Sequence, residues 1–156
     1  MKNIRTIIAA CDMSPYTPQV LDYAMATAKA FGAKIILSNV INKRDIEAIE
    51  YAIHKVLLVE KNASAENAVR QFVREREEAL QALYDDLKAP NLIAKTMVKV
   101  GEPFRVLIDL VNTENADIIV MGTKGRSNLQ ETLLGGTAAK LFQHCPVPVL
   151  SVRLQK

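Results

Sequence analysis

The sequence predicts an α/β fold, an open parallel sheet with helices packed against it. Two observations carry this. Short Ile/Val/Leu-rich runs read as strands covered on both faces, which is the habit of parallel sheets. Segments of helical periodicity fall between those runs, so strand and helix alternate along the chain, and right-handed crossovers follow.

The first strand is Ile4 to Ala10, IRTIIAA. Tyr16 to Phe31 follows as a helix, with apolar residues at Val20, Leu21, Ala24, Ala28 and Phe31, Ser14-Pro15 at its start and Gly32 just past its end. Lys34 to Ile41 is the second strand. Asn42 to Asn62 is irregular, and its pattern Ile46, Ile49, Ile53, Val56 and Leu57 reads as an amphipathic helical excursion whose apolar face covers the sheet or a partner. Ala65 to Leu87 repeats Val69, Phe72, Val73, Leu80, Leu83 and Leu87 at helical spacing, and its charge run is a solvated face. Leu92 to Val100 alternates more than the other strands, which implies one wetter face. A helix from Pro103 to Asn115 starts at the turn Gly101-Glu102-Pro103, Asp117 to Met121 is the fourth strand, Thr137 to His144 the last helix and Val147 to Val152 the fifth strand.

At 156 residues the chain has the length of one domain, residues 1 to 156, and buries roughly 68 to 70% of its unfolded surface. Apolar residues make up 49% and charged residues 24%, which excludes collagen-like, disordered and coiled-coil chains. The net charge of +3 is spread evenly, with no basic arm, so nucleic acid is not an expected partner. No run approaches the 18 or so apolar residues of a membrane span, and the start Met1-Lys2-Asn3-Ile4 carries no signal-peptide pattern, so a cytoplasmic location is expected. Cys11 and Cys145 lack metal-ligand spacing and read as unpaired thiols, at opposite ends of an all-parallel sheet.

In open α/β sheets ligands bind beyond the carboxyl ends of the strands, so the residues after each strand carry the interest. Cys11-Asp12-Met13-Ser14 follows the first strand. Gly122-Thr123-Lys124-Gly125-Arg126-Ser127-Asn128 follows the fourth and runs on to Gly135-Gly136-Thr137, where the last helix begins. Glycines there let backbone amides approach a ligand, the N-H groups of a helix N-terminus suit an anion, and Lys124 and Arg126 add positive charge. This is phosphate-cradle chemistry, although the spacing matches neither Walker A nor G-x-G-x-x-G. The same glycines also serve a strand-end turn and a helix cap, and Asp12 an Asx turn.

The spacing Gly122-x2-Gly125-x9-Gly135, following DIIVMG, resembles the G-x2-G-x9-G nucleotide motif of the universal stress protein family. The aspartate in IIAACDMSP, the G-x-P turn at Gly101 to Pro103 and the ending HCPVPVLSV extend the resemblance over the whole chain. It implies a Rossmann-like five-stranded parallel sheet in the order 3-2-1-4-5, a homodimer, and a bound ATP whose Mg2+ is held mainly by the phosphates. By the same resemblance Asp12 sits at the nucleoside end and Val40 lines the adenine pocket. Met121, Gly122, Lys124 and Gly125 wrap the ribose and phosphates, and Gly135, Gly136 and Thr137 hold the terminal phosphates. One departure stands out: Gly136 replaces the family's Ser or Thr after the last glycine, and the hydroxyl comes one residue later, at Thr137. A missing charge-assisted hydrogen bond is worth roughly 1.5 to 3 kcal/mol, or about ten- to a hundredfold in affinity, unless the backbone of the double glycine compensates.

The function expected is therefore an ATP-binding stress or signalling module acting through nucleotide-dependent partner interactions. The alternative is a dimeric interaction protein of the same fold without nucleotide. No catalytic base or nucleophile lies near the glycine loop, so at most slow ATP hydrolysis is expected. His54 and His144 read as surface or helix-end residues. A nucleotidyl-transferring enzyme would need a histidine pair where Asp12-Met13-Ser14 stands. The homodimer is expected to pair through the apolar edge strand Val147 to Val152.

Overall fold

The computed structural model describes residues 3–56, 63–123 and 135–153. The elements are β1 (Thr6–Ala10), α1 (Thr17–Phe31), β2 (Lys34–Asn42), α2 (Lys43–Val56), α3 (Ala63–Asp86), β3 (Ile93–Gly101), α4 (Pro103–Thr113), β4 (Ile118–Gly122), α5 (Gly136–His144) and β5 (Val149–Val152). All neighbouring strands are parallel and the sheet order is β3-β2-β1-β4-β5. The chain winds outward from β1 to β3, then crosses to β4 on the other side of β1. That reversal leaves a crevice beyond the carboxyl ends of β1 and β4.

Alternation along the central strands divides the core between the two faces of the sheet. Ile7, Ala9, Ile35, Leu37 and Val120 face α1 and α3, where they meet Val20, Leu21, Ala24, Ala28 and Leu80. Ile8, Ile36, Ile119 and Met121 face α4 and α5, meeting Leu107, Leu110, Val111, Ala138 and Leu141. Both faces of β1, β2 and β4 are thus dry, which is why those strands read as unbroken apolar runs. Strand β3 lies at an edge, and its mixed burial matches its alternating sequence.

Helix α1 closes on Gly32 at φ 65°, and the Ala33 N-H donates to the Ala28 carbonyl at 2.9 Å. That left-handed residue turns the chain straight into β2. The helical excursion after the second strand is α2, which starts at Lys43 with no intervening loop. Its Ile46, Ile49 and Ile53 are half-buried, while Leu57 falls outside the described residues. The fifth strand is shorter than the sequence suggests. It begins at Val149 because Pro146 and Pro148 have no N-H to give a ladder, although the Pro148 carbonyl still accepts the Ile119 N-H at 3.1 Å.

At the turn into α4, a Cβ on Gly101 would lie 2.6 Å from Val106 Cγ2. This close approach explains the glycine two residues before Pro103.

Candidate functional site

A crevice of about 500 Å³ opens at the topological reversal, and its walls come from the ends of β1, β2 and β4, from α4 and from the start of α5. Asp12, Val40, Met121, Gly122, Gly135, Gly136 and Thr137 all line it. Lys124 and Gly125, also singled out from the sequence, lie outside the described residues, as does Arg126.

Asp12 sits in the β1–α1 turn. One carboxylate oxygen, Oδ1, accepts the Ser14 N-H at 3.0 Å and the Thr17 hydroxyl at 3.2 Å. This is an Asx turn, and it holds Met13 at φ 61°, a left-handed conformation uncommon for a non-glycine residue. The other oxygen, Oδ2, is buried and has no hydrogen-bond partner among the described residues. The turn therefore engages only Oδ1 and leaves Oδ2 uncommitted among the described residues.

On the opposite wall, Gly135 is the N-cap of α5, with φ −68°, ψ 155° and no side-chain cap. Its N-H donates to the Thr123 carbonyl at 2.8 Å, which brings the chain on either side of residues 124–134 together. The first helical bond runs from the Ala139 N-H to the Gly135 carbonyl at 2.9 Å. The N-H groups of Gly136, Thr137 and Ala138 precede it and, among the described residues, are the unpaired donors of a helix start. A Cβ on Gly136 would meet nothing within 4 Å, so the helix start is open as well as uncapped.

The crevice is therefore polarised. Carboxylates lie toward β1 and β2, and the positive end of a helix dipole lies toward β4. Asp12 shares the wall with a second acid. Asp45, in the first turn of α2, lines the crevice too, with Asn42 before it. Asp45 comes to the crevice because α2 starts at Lys43, directly after β2. Pro103 and Leu107 of α4 supply apolar wall that sequence spacing did not reveal, because only the packing of α4 on this face brings them there.

Cys11 also lines the crevice, but desolvation, with a smaller contribution from the Asp12 charge, pushes its thiol up to about 12. It is a neutral, inert thiol. Cys11 and Cys145 are both free, and they pack on opposite faces of the sheet. Among the described residues no cluster of three or more His, Cys, Asp or Glu could hold a metal, and no helix is long and apolar enough to cross a membrane.

A model of the universal stress protein family matches residues 3–153. Universal stress protein MJ0577 of Methanocaldococcus jannaschii is 24% identical over 153 residues, covering 96% of this chain and 94% of that protein. The solved structure of MJ0577 has a TM-score of 0.73 at 22% identity over 99% of both chains. An Arabidopsis thaliana universal stress protein family protein with AMP bound has a TM-score of 0.60 at 14% identity, covering 97% of this chain and 92% of that one. A universal stress protein in complex with cAMP has a TM-score of 0.56 at 22% identity, covering 97% and 98%. The structural likenesses extend the agreement in fold, and the family model spans nearly the whole sequence: the chain belongs to the universal stress protein family.

Proposed function

We propose that this protein is a nucleotide-binding module that takes ATP with Mg2+ in the crevice at the β1/β4 reversal and alters its contacts with partners according to occupancy. The observation that carries the reading is the polarity of the crevice. Uncapped amides at the start of α5 suit phosphates, and the unpartnered Oδ2 of Asp12 suits a donor on the nucleoside. Related proteins solved with AMP and with cAMP support an adenine nucleotide in particular.

In this reading Gly135, Gly136 and Thr137 hold the terminal phosphates, Met121, Gly122, Lys124 and Gly125 surround the ribose and phosphates, and Val40 lies against the adenine. Mg2+ neutralises phosphate charge and is held mainly by the phosphates. Among the described residues the crevice holds no general base beside an activated nucleophile, and we read turnover as at most slow. The protein acts as a cytoplasmic homodimer paired through β5. That strand is an edge of the sheet, and exposed Leu150 and, on α5, exposed Phe142 add apolar surface.

Calorimetry with Mg-ATP, Mg-GTP, AMP and cAMP tests the site, alongside mass spectrometry of any ligand released from purified protein. Preferential binding of Mg-ATP is expected. No binding of any adenine nucleotide, or equal affinity for GTP, refutes it.

A further inference from the structure

The ladder between β1 and β2 stops at the pair Ala10 and Ser38, one rung before it needs to. The even-numbered residues of β2 turn their backbone groups toward β1. The Lys34 N-H donates to the Arg5 carbonyl, and the Ser38 carbonyl accepts the Cys11 N-H, each at 2.8 Å. By the same alternation the next rung would run from the Val40 N-H to the Cys11 carbonyl. It is not formed. The Cys11 carbonyl instead accepts Nδ2 of Asn39 at 2.7 Å.

Asn39 is only 4% exposed and stands on the α1/α3 face with Ile35 and Leu37, opposite the crevice. Its Oδ1 is buried without a partner among the described residues. An amide half satisfied in a dry core is unfavourable, and an aliphatic residue there would continue the run of Ile35 and Leu37. Val40, by contrast, lines the crevice, with its N-H on the β1 side beside Cys11 and Asp12.

We propose that Asn39 is a positioning residue: its side-chain amide occupies the Cys11 carbonyl, which ends the ladder and leaves the Val40 N-H to bond the ligand in the crevice. This rests on the nucleotide reading above. The same bond anchors the chain immediately before Asp12, so Val40 and the Asp12 turn are set together from behind the sheet.

The test is Asn39→Val and Asn39→Ala, two side chains of different volume that both lack the amide. In wild type without ligand, the Val40 amide should exchange with solvent much faster than that of Ser38, measured by NMR. In both variants it should become protected as the missing rung closes. Mg-ATP affinity should fall about tenfold in both, the worth of one hydrogen bond. Thermal stability of Asn39→Val should hold or rise, the opposite of what a purely structural asparagine would show. A Val40 amide already as protected as Ser38 in wild type overturns the inference. So does unchanged affinity in both variants, or a loss confined to Asn39→Ala, which would mark packing. If wild type binds no adenine nucleotide, the nucleotide reading itself fails, and the exchange rates still report whether Asn39 ends the ladder.

Discussion

Replacing Gly136 with serine restores a hydroxyl at the position where this chain departs from its family's motif, and the geometry of α5 sets what should follow. A Cβ at Gly136 meets nothing within 4 Å, so serine enters without displacing a neighbour. The helix start has no side-chain cap, and its first helical bond is made only at Ala139. An added hydroxyl would therefore join the amides proposed above to hold the phosphates. A hydrogen bond to a charged group is worth roughly 1.5 to 3 kcal/mol, and since Gly136 is exposed the lower end applies, about tenfold tighter binding of Mg-ATP. Serine also exceeds glycine in helix propensity by about 0.5 kcal/mol, which alone raises the melting temperature by roughly 1 to 2 °C. Calorimetry with Mg-ATP and with adenosine separates the two effects: ATP should tighten and adenosine should not. A higher melting temperature with unchanged ATP affinity would show that Thr137 or the backbone already satisfies the phosphate. Equal tightening of adenosine would place the hydroxyl away from the phosphates and refute the assignment of this end of the crevice.

Gly101→Ala should destabilise the protein by about 1 to 3 kcal/mol in denaturant unfolding, because the new methyl lies 2.6 Å from Val106 Cγ2. Adding Val106→Ala should recover part of that loss, and full stability in the single variant would contradict the close approach. The Cys11 thiol is held up to about 12 from an ordinary 9.0, so its contribution to stability is complete below pH 9 and declines as pH rises from there toward 12. Cys11→Ala should lack that decline, and a thiol reagent at pH 8 should modify Cys145 well before Cys11 in the folded protein. The Glu102 carboxyl is lowered from 4.5, first by its hydrogen bond to Lys140 at 2.9 Å and by that residue's charge, then by Arg105. Its stabilisation is present above pH 4.5 and lost as pH falls below it, so a Glu102→Gln variant whose acid unfolding curve matched wild type in low salt would show the pair contributes nothing. The Ile119 N-H bonds the Pro148 carbonyl and the Thr123 N-H bonds the Val152 carbonyl, so the even-numbered residues of β5 turn their backbone groups toward β4 and Ser151 turns its N-H to the free edge. Ser151→Pro removes that edge donor, and light scattering should find wild type dimeric and the folded variant monomeric. An unchanged dimer counts against pairing through β5.

Strands and helices were legible because their signals are local. Runs such as Ile7, Ile8 and Ile36 have to be buried somewhere, and the period of α1 and α4 allows only one face inward. Their ends shift by at most two residues, most tellingly at β5, where the prolines defer the ladder to Val149. Glycine and a helix start each have few physical uses, so the ends of the glycine-bounded segment after β4 were legible as site candidates, and Gly122, Gly135 and Gly136 do line the crevice. The sequence by itself therefore determined the α/β alternation, the strand ends that line the crevice and the family. Only the tertiary structure decided that Asp12 commits Oδ1 to a turn and buries Oδ2 without a partner among the described residues, that Asp45 and Leu107 join the wall, and that Asn39 ends the β1–β2 ladder from the far face. Each of these depends on which strand lies beside which and how far the register runs. That is a property of parallel pairing between segments about 30 residues apart, and no local pattern encodes it.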